Sequence, residues 1–142
     1  MKSLYSRGDI VLMSFPFTHF DAEKVRPTLI LSSLKKYDDY VVLFLTSQVK
    51  KYSEDTENIL IKQSLSNGLL RDSIVISSKI ATVSENMIHE KIGTLSKGDL
   101  SKITKAVKKV LGLSDEDFAN YYLQLMDTYN LFWKERNVFT VI

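Results

Sequence analysis

Arg26-Pro27-Thr28-Leu29-Ile30-Leu31-Ser32 is the stretch on which the fold turns: a charged residue, a proline, then a run of strand formers. A proline at the first residue of a strand gives up no ladder hydrogen bond, and it biases the residue before it toward an extended backbone. The reading therefore opens a strand at Pro27 and fixes Arg26 at the rim of a sheet. A guanidinium held there is positioned rather than free to swing.

Upstream, Gly8-Asp9 reads as a turn and Ile10 to Phe15 as a first strand, whose unbroken apolar run predicts burial on much of both faces. Pro16 ends that pairing. From Pro16 to Val25, a stretch that includes His19, Asp21 and Glu23, there is no periodicity, so a loop of about ten residues leads into Arg26. Long loops beside rigid strands are where sites are built. Downstream, Leu34 to Asp39 is a polar turn and Tyr40 to Leu45 a third strand, closing a hairpin or meander with the second. Thr46-Ser47-Gln48 sets three hydrogen-bonding side chains at its end, before a solvated loop with Lys50-Lys51 and Glu54-Asp55. Asn58 to Ile61 and Ser73 to Ile76 read as short strands around a turn at Ser66-Asn67-Gly68, the latter continuing toward Val83, and Met87 to Thr94 as mostly strand. Strands of this length and spacing predict a small barrel or curled sheet.

Two helices follow. Ser96-Lys97-Gly98-Asp99 has the hydroxyl and carboxylate spacing of a helix start, Leu100, Ile103, Val107, Val110 and Leu111 recur at helical spacing, and Gly112 stands where a C-cap belongs. Ser114-Asp115-Glu116-Asp117 repeats the start signal with acids that suit the helix dipole. Phe118, Tyr121, Tyr122, Leu125, Met126, Tyr129, Phe132 and Trp133 then form a wide aromatic stripe. It reads as core or partner packing, since platforms that stack bases lie on open sheet faces. The class is α+β, with residues 1–112 as one domain and 113–142 as a helical extension packed on that domain or on a partner.

The chain has 142 residues, enough for one compact domain with an appendage, and its 44% hydrophobic and 25% charged residues are those of a folded globular chain. A net charge of +2 does not by itself demand a nucleic-acid partner. Lysines are spread through the middle of the chain, a pattern that fits a basic barrel surface and a solvated helix face equally well. With no cysteine, a disulfide frame, a thiol nucleophile and a cysteine-ligated zinc are excluded, and a reducing compartment such as the cytoplasm suits the chain. No run reaches the roughly 18 apolar residues of a membrane span, and Met1 to Arg7 holds no signal core, so an unexported soluble protein is expected. The five glycines are too scattered for a phosphate-cradling loop. His19 and His89 lack a ligand pattern, so neither a metal site nor a cofactor is expected, and no serine sits in a nucleophile elbow. His89 reads as a partly buried structural histidine, and His19 either as a site residue or as a solvated loop group.

Gly8-Asp9-Ile10-Val11-Leu12, Phe15-Pro16-Phe17-Thr18, Arg26 to Ser32, Leu45-Thr46-Ser47-Gln48 and Arg71-Asp72-Ser73-Ile74-Val75, taken in this order, resemble the MazF/PemK family of toxins. The resemblance covers about residues 5 to 112. It implies a small SH3-like β-barrel of the CcdB/MazF type with a C-terminal helix, to which this chain adds its aromatic-rich terminal helix. It further implies a homodimer, a cognate antitoxin partner, and metal-independent endoribonuclease activity on single-stranded RNA. The family's catalytic arginine before proline falls on Arg26, and its hydroxyl at the end of the third strand on Thr46. The second arginine and aspartate that some members carry are replaced by Ile76 and Ser78. Ser47, Gln48, Arg71, Ser78, Lys79 and His19 are the candidate RNA contacts. The proton acceptor stays open among His19, Asp21 and Glu23. A noncatalytic module of the same barrel class, gripping gyrase as CcdB does, is the alternative, which the aromatic last helix would suit because aromatic anchors carry interface energy.

Overall fold

The computed structural model describes residues 3–14, 24–113 and 115–136. Six antiparallel strands, β1 (Asp9–Ser14), β2 (Val25–Leu34), β3 (Asp39–Thr46), β4 (Ile59–Ile61), β5 (Ser73–Ser84) and β6 (Ile88–Thr94), form one sheet in the order β4-β5-β3-β2-β1-β6. Helices α1 (Val49–Tyr52), α2 (Lys97–Val110) and α3 (Asp115–Arg136) complete the α+β architecture. The chain divides into two compact units, residues 1–110 and 111–142.

The central strands are apolar without alternation because both faces of the sheet are covered. Leu29, Leu43, Leu45 and Val75 pack with Ile103 and Val107 of α2 on one face. Ile30 and Val42 pack with Val11, Met13, Tyr40 and Val83 on the other. The buried polar groups of Asp9 and Tyr40 are paired, as burial requires. Asp9 accepts from the Ser6 amide at 2.8 Å and pairs with Lys91 at 3.2 Å, and the Tyr40 hydroxyl donates to Glu85 at 2.7 Å. Burial and the neighbouring Glu85 carboxylate raise the Tyr40 pKa above its ordinary value.

α2 starts as its sequence predicts, with the Asp99 amide donating to Ser96 Oγ at 3.1 Å, and Gly112 follows it at φ +73°. Its lysines point away from Ile103, Ala106 and Val107, and Lys109 reaches Glu57 at 2.8 Å. One expectation needs correction: the solvated loop after Gln48 contains the one-turn helix α1. β5 does continue past Val83, as a single strand of 12 residues ending at Ser84. It stays single because Leu43 pairs with Ile80 and Leu45 with Val75, so residues 76–79 bulge out of the ladder.

Candidate active-site groove

The groove begins where the β2–β3 ladder stops. Pro27 is the third residue of β2, not the first, because pairing with β1 runs past it through Leu12↔Pro27, Met13↔Arg26 and Ser14↔Val25. Pairing with β3 starts only at Thr28↔Phe44. Since proline has no N–H to donate, β2 beyond it keeps a neighbour on one side alone, and the seam toward β3 opens. Continuing the Thr28↔Phe44 register by two residues sets Arg26 across from Thr46 on one face of the sheet.

A cavity of about 520 Å³ occupies this opening, lined by Arg26 and Thr46 together with Lys24, Ser47, Gln48 and Arg71. Leu12, Val25, Pro27, Leu45, Leu69 and Leu70 supply apolar walls. The backbone behind both arginines is tied down: Thr28 Oγ1 donates to the Arg26 carbonyl at 3.4 Å, and Ser73 Oγ to the Arg71 carbonyl at 3.0 Å. Arg26 is half-buried with its Nε shielded from water, which leaves its charge less screened than that of a surface cation. Thr46 Oγ1 accepts the Gln48 amide at 3.1 Å. That bond fixes the turn and uses one lone pair, so the hydroxyl proton is still available to a ligand oxygen. No aspartate or glutamate occurs among the described lining residues, which include the three cations Lys24, Arg26 and Arg71.

The far wall, residues 62–73, is a stiff loop. Buried Asn67 accepts from the Ser64 and Leu69 amides, each at 3.0 Å, and donates to the Lys62 carbonyl at 2.8 Å. The loop lies directly on β6: a Cβ at Gly68 would stand 2.0 Å from the Ile92 oxygen, and one at Gly93 2.2 Å from the Asn67 carbonyl carbon. Arg71 is thereby carried to the groove by a docked backbone.

Five of the eight residues singled out from the sequence, Arg26, Thr46, Ser47, Gln48 and Arg71, come together here. Ser78 and Lys79 do not line the groove; they sit exposed in the 76–79 bulge, where Lys79 Nζ lies 6.0 Å from the Tyr52 ring centroid and Lys51 Nζ 5.3 Å from it. His19, Asp21 and Glu23 lie outside the described residues. His89 is exposed rather than partly buried, because β6 is an edge strand, and its Nε2 is 2.6 Å from Ser14 Oγ. Lys24 and the loop wall at Gly68 to Leu70 went unrecognised in the sequence. Lys24, two residues before Arg26 on the same extended segment, carried a readable signal.

Residues 6–111 match the family of PemK-like, MazF-like toxins of type II toxin–antitoxin systems. The chain belongs to this family. Among solved structures the toxin is similar in fold to a mycobacterial endoribonuclease in complex with its cognate antitoxin, at TM-score 0.61 and 18% identity over 78% of this chain and 97% of that one. The Mycobacterium tuberculosis toxin MazF-mt6 aligns at TM-score 0.59 and 18% identity, over 75% of this chain and 98% of that one. A MazE–MazF structure from Deinococcus radiodurans aligns at 0.62 and 17%, over 80% of this chain and all of that one. The comparison with curated proteins gives no match. The family match ends at residue 111, so α3 lies beyond it.

Proposed function

We propose that this toxin is a metal-independent endoribonuclease that cuts single-stranded RNA, mRNA included. The observation that carries the reading is the groove itself, in which three cationic residues, Lys24, Arg26 and Arg71, and a hydroxyl residue, Thr46, line one cavity. Such a site fits a polyanion with a phosphate at its centre. In the reaction the ribose 2′-oxygen bonds to the adjacent phosphorus and the P–O5′ bond breaks. The 2′-OH proton passes to a base, the 5′-oxygen gains a proton, and a 2′,3′-cyclic phosphate remains.

Arg26 suits the nonbridging oxygens, whose charge grows in the transition state: guanidinium is a planar fork of donors and keeps its charge at ordinary pH. For the same reason it is no base. Thr46 can accept from the 2′-OH or donate to a phosphate oxygen and so orient in-line attack. Ser47 and Gln48, both exposed at the groove edge, are placed to meet flanking bases, and Arg71 and Lys24 to hold backbone phosphates. Lys51 and Lys79 extend the basic surface around α1, which starts directly after Gln48.

A homodimer, a cognate antitoxin and a cytoplasmic setting belong to the same reading, with residues 1–112 as the toxin domain. It is tested with RNA carrying a single 2′-deoxy nucleotide at a mapped cut. That position should resist while neighbouring cuts continue, and cleavage through the 2′-deoxy position would rule out 2′-OH attack. RNA left intact by a protein that captures a topoisomerase would favour the noncatalytic, gyrase-binding alternative.

A further inference from the structure

Beyond the family match, α3 runs from Asp115 to Arg136, about 33 Å of helix. At 100° per residue, Tyr121, Tyr122, Leu125, Met126 and Tyr129 share one face. Tyr122, Leu125 and Tyr129 recur at the alternating spacing of three and four residues on which two-helix seams are built. All five are exposed, from 38% at Met126 to 62% at the first two tyrosines. At roughly 100 Å² of open surface each, they present about 500 Å² of contiguous, mostly apolar surface, more than the few hundred usual on a monomer.

We infer that α3 is a self-association helix, pairing antiparallel with α3 of a second copy of this chain. Its charge pattern selects the occupant and the direction. Asp115 and Glu116 stand in its first turn, so an antiparallel copy keeps the two acidic ends apart and opposes the two helix dipoles. A parallel copy would stack acid on acid. Centring the pair between Leu125 and Met126 makes the seam self-complementary: Tyr122 meets Tyr129 of the partner subunit, and Leu125 meets Met126 of the partner subunit. Two such faces cover about 1,000 Å², the lower bound of a specific interface.

The chain has no cysteine, so introduced ones report cleanly. In the full-length protein, Met126→Cys should cross-link to its own copy on mild oxidation, because its counterpart is one residue away across the axis. Tyr122→Cys and Tyr129→Cys should each fail alone, their copies being offset by about 10 Å against a disulfide Cα separation of about 4–7 Å. Mixed together, the two should cross-link. Leu125→Asp should weaken self-association in sedimentation at least about 30-fold, whereas Leu123→Asp, exposed but off the seam, should leave it unchanged. The inference is overturned if no cysteine variant cross-links and Leu125→Asp sediments as wild type. Cross-linking of all three single variants, the parallel pattern, overturns it as well.

Discussion

A methyl group added at Gly93 would lie 2.2 Å from the carbonyl carbon of Asn67, 2.4 Å from its oxygen and 2.5 Å from the oxygen of Ser66. These are backbone atoms, so no side chain can swing aside, and the 62–73 loop would have to retreat from β6 by about 1 Å, enough to forfeit much of the contact. Such overpacking costs about 1–3 kcal/mol. The retreat also strains the 2.8 Å bond from the Thr94 amide to the Ser66 carbonyl, worth about 1 kcal/mol more. Gly93→Ala should therefore destabilise the toxin unit by about 2–4 kcal/mol, which for a unit near 100 residues lowers Tm by about 8 °C or more. Gly68→Ala should exceed it, because its φ of +71° adds about 1–2 kcal/mol of left-handed strain to a 2.0 Å clash with the Ile92 oxygen. Gly98→Ala is the control: its nearest neighbour is Ser96 Oγ at 4.0 Å, and in α2 alanine should match or raise wild-type stability. Thermal unfolding followed by circular dichroism reads all three. A Gly93→Ala protein melting within about 2 °C of wild type would refute the docked-wall argument.

Two further outcomes follow from the site and the core. With uncleavable 2′-O-methyl RNA, Lys24→Ala and Arg71→Ala should each lower the slope of log K against log salt by about 0.7, one phosphate contact apiece on a single strand; unchanged slopes in fluorescence titrations would take these cations off the RNA path. Burial and Glu85 disfavour the Tyr40 phenolate in the folded protein, so the unfolded chain loses that proton first. The contribution of Tyr40 should hold in full below pH 10.0, its unperturbed value, and fall as pH climbs from there through the raised folded pKa. Urea midpoints of Tyr40→Phe should show a shallower alkaline decline than wild type, and parallel declines would contradict the assignment.

The sheet was legible because β2 and β3 are covered on both faces and so read as unbroken apolar runs. α2 was legible from its cap and the spacing of Ile103 and Val107. Arg26 and Thr46 could be named, but the reason they face one opening could not. It depends on β1 pairing past Pro27 while β3 does not, a difference between two ladders that no local pattern records. The wall bearing Arg71 was hidden likewise, since Gly68 and Gly93 look like ordinary turn and strand glycines until their close approach brings residues 25 apart in sequence together. α1 was missed because four residues without a side-chain cap carry no periodicity. His89 was misjudged because nothing in its neighbours announces that β6 is an edge. The α3 stripe was read as core or partner packing from its helical spacing, and its described members Tyr121, Tyr122, Leu125, Met126 and Tyr129 are exposed.

In the proposed reaction Arg26 holds phosphate charge during cleavage. The most direct measurement is single-turnover cutting of a mixed single-stranded RNA in chelator by wild type, Arg26→Ala and Arg26→Lys, with the fragment ends mapped. Wild type should release ends bearing 2′,3′-cyclic phosphate, and Arg26→Ala should be slower by about 10²–10³-fold or more at unchanged fold, the loss typical of removing one charge-stabilising donor. Arg26→Lys should recover only part of the rate, because an ammonium lacks the planar fork. Intact RNA with well-folded wild type, or an Arg26→Ala protein cutting at the wild-type rate, would contradict it.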